Sequence, residues 1–105
     1  MVLIHVLTKD STQASAVTEV LIKEDLVLNV VRRSPVELTE KDASGQLTST
    51  SRTFLMAQTK ALLFNKIDQR LRELYGDDMP ALYSVPIVNM DWEQANHLVE
   101  SITPV

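Results

Sequence analysis

The chain has 105 residues, of which 45% are hydrophobic and 23% charged, and carries a formal net charge of -4. That length suits one domain spanning residues 1–105 with a single core, and the acidic balance excludes a protein that binds nucleic acid through a basic face. No cysteine and only two histidines are present, which removes disulfides, thiolate metal sites and thiol nucleophiles and leaves little material for a His-based cage.

Residues 2–8 (VLIHVLT) are a run of β-branched and apolar residues, the composition of a central strand. The run is too short for a signal or membrane segment, so a cytoplasmic protein without membrane contact is expected. Asp10 followed by Gln13 marks a helix start. Ala14, Val17, Val20 and Leu21 then repeat at helical spacing, which predicts a helix over 11–24. Residues 26–33 (LVLNVVRR) return to strand composition, and Pro35 places that strand at an edge or a bend. Ser44-Gly45 marks the tip of a long hairpin. Its polar returning arm, 47–53, projects beyond the body, and 54–58 (FLMAQ) enters it. Thr59 is placed to cap a second helix with Leu63, Ile67, Leu71 and Leu74 on one stripe, closed by Gly76 and Pro80. Residues 81–90 read as a fourth strand, with Pro86 arguing for an edge. Asp91 and Gln94 open a last helix bearing Trp92, Ala95, Leu98, Val99 and Ile102.

The order β-α-β-β-α-β-α predicts an α+β fold: a ferredoxin-like βαββαβ sandwich with an additional C-terminal helix. Its four-stranded antiparallel sheet runs 4-1-3-2, with a long hairpin between the second and third strands.

On this order and on four segments, the chain resembles the CutA family of divalent-cation tolerance proteins, within the PII-like superfamily. The segments are Leu21-Ile22-Lys23-Glu24-Asp25-Leu26, the position of Thr59, Leu74 through Pro80 (LYGDDMP), and Asp91 through Leu98 on the closing helix. In the third of these, Tyr75, Gly76 and Asp77 stand where the family has His, Pro and Tyr. Asn29 stands at the family's second-strand cysteine, and His97 at its last-helix tryptophan. The resemblance implies a homotrimer built through strand edges and hairpin arms, with intersubunit clefts for a small ligand or partner protein. It implies no soft-metal site, because the His and Cys positions are filled otherwise. The cleft residues it indicates are Asn29, Arg32, Tyr75, Asp77 and Asp78.

The residues themselves carry few chemical motifs. Asp77 and Asp78, with Glu73 one turn earlier, are the densest acidic cluster. Their oxygen ligands suit a hard divalent cation such as Mg²⁺, Ca²⁺ or Mn²⁺, against the plain alternative of a solvated loop. No catalytic set and no resident cofactor are expected. His5 reads as a buried or interface histidine bonded to a backbone group, and His97 as flanking or solvent-facing. Arg32, Arg33 and Arg52 would gather across the hairpin into a small basic patch or serve as surface ion pairs. Trp92 reads as a packing residue. The leading expectation is a non-enzymatic, ion- or ligand-responsive binding or signalling module. Two alternatives are a dimeric monooxygenase- or isomerase-type enzyme using Trp92, Asn96, His97 and Tyr83, and a trimeric scaffold without a ligand.

Overall fold

Residues 1–105 are described by a computed structural model. Four strands and three helices follow one another as β1 (Val2–Thr8), α1 (Ser11–Lys23), β2 (Val31–Lys41), β3 (Leu47–Thr59), α2 (Phe64–Tyr75), β4 (Ala81–Pro86) and α3 (Trp92–Ser101). Short 3₁₀ turns, Ala61–Leu63 and Gly76–Asp78, flank α2. The sheet order is β2-β3-β1-β4 and every pairing is antiparallel. This is the expected ferredoxin-like order, with the apolar β1 central and β4, ending in Pro86, at an edge.

Alternation along the strands gives the sheet two unlike faces. Ile4, Val6, Leu55 and Ala57 point inward. They join Ala14, Val17 and Leu21 of α1, Ile67 and Leu71 of α2, and Leu98 of α3 in one core. Directly opposed residues share a face, so the outward set includes Leu3, His5 and Leu7 of β1 with Phe54, Met56, Tyr83 and Val85. All three helices supply side chains to the inward core, and this second face is left open.

Helix α1 begins at Asp10, whose carboxylate accepts the Gln13 N–H at 2.8 Å. It ends in a Schellman arrangement: Leu26 N–H donates to the Leu21 carbonyl at 3.0 Å and Asp25 N–H to that of Ile22 at 3.1 Å. Asp25 takes φ 55° at the position where glycine is usual. Three expectations are corrected here. Strand β2 starts at Val31, not at residue 26, because Leu26 and Val27 turn inward and fill the core beneath the end of α1. Thr59 ends β3 and caps no helix; its buried hydroxyl donates to the Leu26 carbonyl at 2.7 Å. The fourth strand stops at Pro86 rather than residue 90.

The hairpin arm projects from this body, and the molecule measures 49 × 29 × 20 Å along its principal axes. At its tip the Asp42 carboxylate accepts the Ser44 and Gln46 N–H groups at 2.8 and 3.1 Å, and Gly45 supplies φ 85°. The Ser44 hydroxyl, donating to Asp42 at 2.6 Å, is the main reason this carboxyl is held below the usual range. Between Arg33 and Val36 the pairing with β3 slips by one residue. That bulge lies at Pro35, where an edge strand tolerates a missing donor.

Candidate functional site

The turn leaving β1 and the turn leaving α2 are brought together at one end of the sheet. Gln13 joins them and is nearly fully buried. Its side-chain oxygen accepts the Lys9 N–H at 3.0 Å, and its Nε2 donates to the Asp78 carbonyl at 2.9 Å. The Lys9 ammonium donates to the Asp78 carboxylate, closing the link with an ion pair. This hydrogen bond is the main cause of the raised Lys9 pKa, and the Asp78 charge reinforces it.

A groove of about 240 Å³ opens beside this link. Leu7, Met79, Pro80 and Ala81 form an apolar floor where the open sheet face begins, and Leu38 and Glu40 of the arm wall one side. Lys9 and Arg52 contribute cations; Glu40, Asp77 and Asp78 contribute anions. A second depression, of about 330 Å³, shares Lys9, Gln13 and Asp78 with the groove and is lined in addition by Asp10, Thr12, Ala16 and Tyr75. Partial burial pushes the Tyr75 phenol up, with the Asp78 charge adding to the effect and Lys9 opposing it. The site therefore offers mixed charge over a small apolar base, suited to holding an ion or a small polar molecule by several weak contacts.

The five cleft residues indicated by the sequence divide into two groups. Tyr75, Asp77 and Asp78 border the two depressions beside Lys9. Arg32 lies on another flank of α1, donating to the Ser15 hydroxyl at 2.8 Å and the Ser11 carbonyl at 3.3 Å. Asn29 is exposed in the segment before β2. Within one chain the two groups do not share a cleft. Lys9, Gln13, Glu40 and Arg52 belong to the groove and were not among the indicated residues. Gln13 at the third position of a helix was the available signal, since a capping glutamine that is also buried must find partners for both ends of its amide.

Neither reading of Arg32, Arg33 and Arg52 holds: the basic patch does not form, and none of the three is ion-paired with a carboxylate. Arg32 is opposed to Leu55 on the inward face, while Arg33 is opposed to Phe54 on the open face. Neighbouring strand residues point to opposite sides, so Arg32 is separated from Arg33 and Arg52 by the sheet. Glu73 does not join the aspartates but lies 3.6 Å from Arg70. No three His, Cys, Asp or Glu side chains converge anywhere in the chain. Two aromatic expectations are also corrected. Trp92 is 82% exposed and packs into nothing, and the ring nitrogens of His5 have no hydrogen-bond partner. Trp92, Asn96 and His97 lie on α3, which Leu98 anchors in the inward core, whereas Tyr83 is on the open face. These four do not form a set.

No family model and no curated protein matches the sequence. The fold, by contrast, matches solved structures along almost the whole chain. The divalent cation tolerance protein Cut A1 from Thermus thermophilus superposes with a TM-score of 0.86 at 18% identity, covering 98% of this chain and 100% of its own. CutA from Xylella fastidiosa gives 0.85 at 22% identity, covering 97% of each chain. The periplasmic divalent cation tolerance protein CutA from Archaeoglobus fulgidus gives 0.86 at 14% identity, covering 98% and 100%. The order of strands and helices expected from the sequence is thus that of a known architecture: the chain has the CutA fold.

Proposed function

We propose that residues 1–105 form a single-domain, non-enzymatic cytoplasmic protein that assembles as a homotrimer. It binds a small ligand or a hard divalent cation in the groove beside Lys9 and Asp78, and acts as a binding or signalling module. The groove carries this reading. Its apolar floor and mixed charges are held in place by the buried Gln13, and one wall comes from an arm that projects from the body. Both sheet edges, β2 and β4, have one side unpaired within the chain, which favours assembly through strand edges. In such an assembly Asn29 and Arg32 of one subunit are candidates to face Tyr75, Asp77 and Asp78 of another. The names of the structurally similar proteins, which refer to divalent cation tolerance, favour a cation-linked role.

Light scattering should give three times the chain mass. Thermal melts with Mg²⁺, Ca²⁺ or Mn²⁺ should rise with at least one ion, because a ligand that binds only the folded state stabilises it by mass action. The rise should shrink in Asp77→Asn. A monomeric mass would refute the assembly, and an unchanged midpoint with all three ions would refute the cation reading.

A further inference from the structure

The groove beside Lys9 and Asp78 holds charges of both signs, and several of them are not spent within the chain. The last pair between β1 and β3 is Thr8 with Thr53, so Lys9 and Arg52 are the next residues on the two neighbouring segments. Lys9 gives one of its three ammonium donors to Asp78 and keeps two. Arg52 is half-buried; its Nε donates to the Thr50 hydroxyl at 3.2 Å, and no carboxylate pairs with its guanidinium. Like charges side by side across a sheet are unfavourable unless an anion joins them.

The negative side of the groove is also unspent. Arg52 opposes Val36, the first pair after the slip at Pro35, and so shares a face with Glu40 of the arm. Glu40 and Asp77 both line the groove and neither enters an ion pair. Leu7 and Met79 lie beneath them as apolar floor. A molecule carrying both charges finds a partner for each, whereas one of a single sign leaves half of these groups uncompensated. The volume of about 240 Å³ is below that of pockets for drug-sized ligands and suits a molecule of few heavy atoms.

We propose that the groove takes a free α-amino acid with a small aliphatic side chain. The carboxylate sits between Lys9 and Arg52, where a guanidinium can donate two parallel hydrogen bonds. The ammonium is drawn to Asp77 and Glu40, and the side chain rests on Leu7 and Met79. This rests on the groove being the ligand site proposed above and gives the small ligand of that reading a chemical class.

The test is calorimetric titration of the whole chain with L-valine and with its two half-molecules, isovalerate (no ammonium) and isobutylamine (no carboxylate). L-Valine should bind, and each half-molecule should bind at least about tenfold more weakly, the loss expected for a charge-assisted hydrogen bond. Arg52→Gln and Asp77→Asn should each weaken L-valine by a similar factor, with thermal melts showing that the variants fold. Should either variant fail to fold, the comparison of the three compounds on the native chain decides alone. The proposal is overturned if L-valine gives no binding, if a half-molecule binds as well, or if both folded variants bind L-valine like the native chain. If L-valine fails while Mg²⁺, Ca²⁺ or Mn²⁺ raises the melting midpoint of the native chain but not of Asp77→Asn, the groove remains a site and the ligand class alone falls. If none of these binds, the groove reading falls with it.

Discussion

Lys9 and Asp78 are separated by 69 positions in the sequence and meet as an ion pair across the turns that end β1 and α2. Both side chains are about half exposed, so solvent screens the pair and its weight in overall stability is small. Its role is local: it fixes the end of the groove. Gln13 does the buried part of the same job, and the two can be separated by mutation.

Removing the Gln13 amide should be the more damaging change. Gln13→Ala leaves the Lys9 N–H and the Asp78 carbonyl without partners and should destabilise the chain by about 1–3 kcal/mol. Urea denaturation measures this. Lys9→Met should be milder in the same assay, and the reverse order would refute the assignment of the buried amide as the principal tie.

Alkaline pH should weaken the same corner. The Lys9 value is raised by its bond to Asp78, and that of Tyr75 by burial. Each folded group holds its proton longer than the unfolded chain does. Both contributions are therefore intact below the ordinary values of 10.5 and 10.0, and are lost as pH rises through the raised ones. Denaturation midpoints measured from about pH 8 to about pH 11.5 should fall more steeply for the native chain than for Lys9→Met or Tyr75→Phe. Parallel slopes would contradict the linkage.

The left-handed Asp25 offers a stabilising substitution. Glycine adopts its φ of 55° without steric cost, and the Schellman bonds to Leu21 and Ile22 use only backbone groups. Asp25→Gly should gain about 0.5–1 kcal/mol, whereas Asp25→Val should lose at least as much. Chemical denaturation of the two variants beside the native chain decides it.

Leu71 and Trp92 should respond in opposite proportion to their size. Leu71 is fully buried among core residues, and Leu71→Ala should cost about 2–5 kcal/mol. Trp92 is much larger but mostly exposed, and Trp92→Ala should change stability by less than about 0.5 kcal/mol. A large loss at Trp92 in a dilute, monomeric sample would show that the side chain packs after all. A loss seen only in the assembled protein would place Trp92 at a subunit contact.

Much of the architecture was legible in the sequence because it follows from local periodicity. The continuous apolar run at 2–8, the two Asp/Gln helix starts at 10–13 and 91–94, and the prolines at 35 and 86 each constrain one element. Their order leaves few topologies. Leu26 and Val27 misled for a physical reason: a loop that plugs the core has the composition of a strand. Thr59 misled similarly, since its hydroxyl can serve a helix start or, as here, a distant carbonyl. The groove was only half legible. Asp77 and Asp78 announce themselves as neighbours, but Lys9, Glu40 and Arg52 join them through the pairing of strands, which no local window contains. Arg32 and Arg33 show the same limit, being adjacent in sequence and on opposite sides of the sheet.

The slip at Pro35 sets the phase of the whole arm. Before it, the odd-numbered Val31 and Arg33 share the open face; after it, the even-numbered Val36, Leu38 and Glu40 do. One inserted residue thus rotates every later side chain of β2 by half a turn relative to β3. Were the same residues paired without the slip, Leu38 and Glu40 would turn away from the groove and Glu37 and Thr39 would stand in their place. The groove's outer wall is written as a reading frame, and the frame is kept by one irregular residue at the base of the arm.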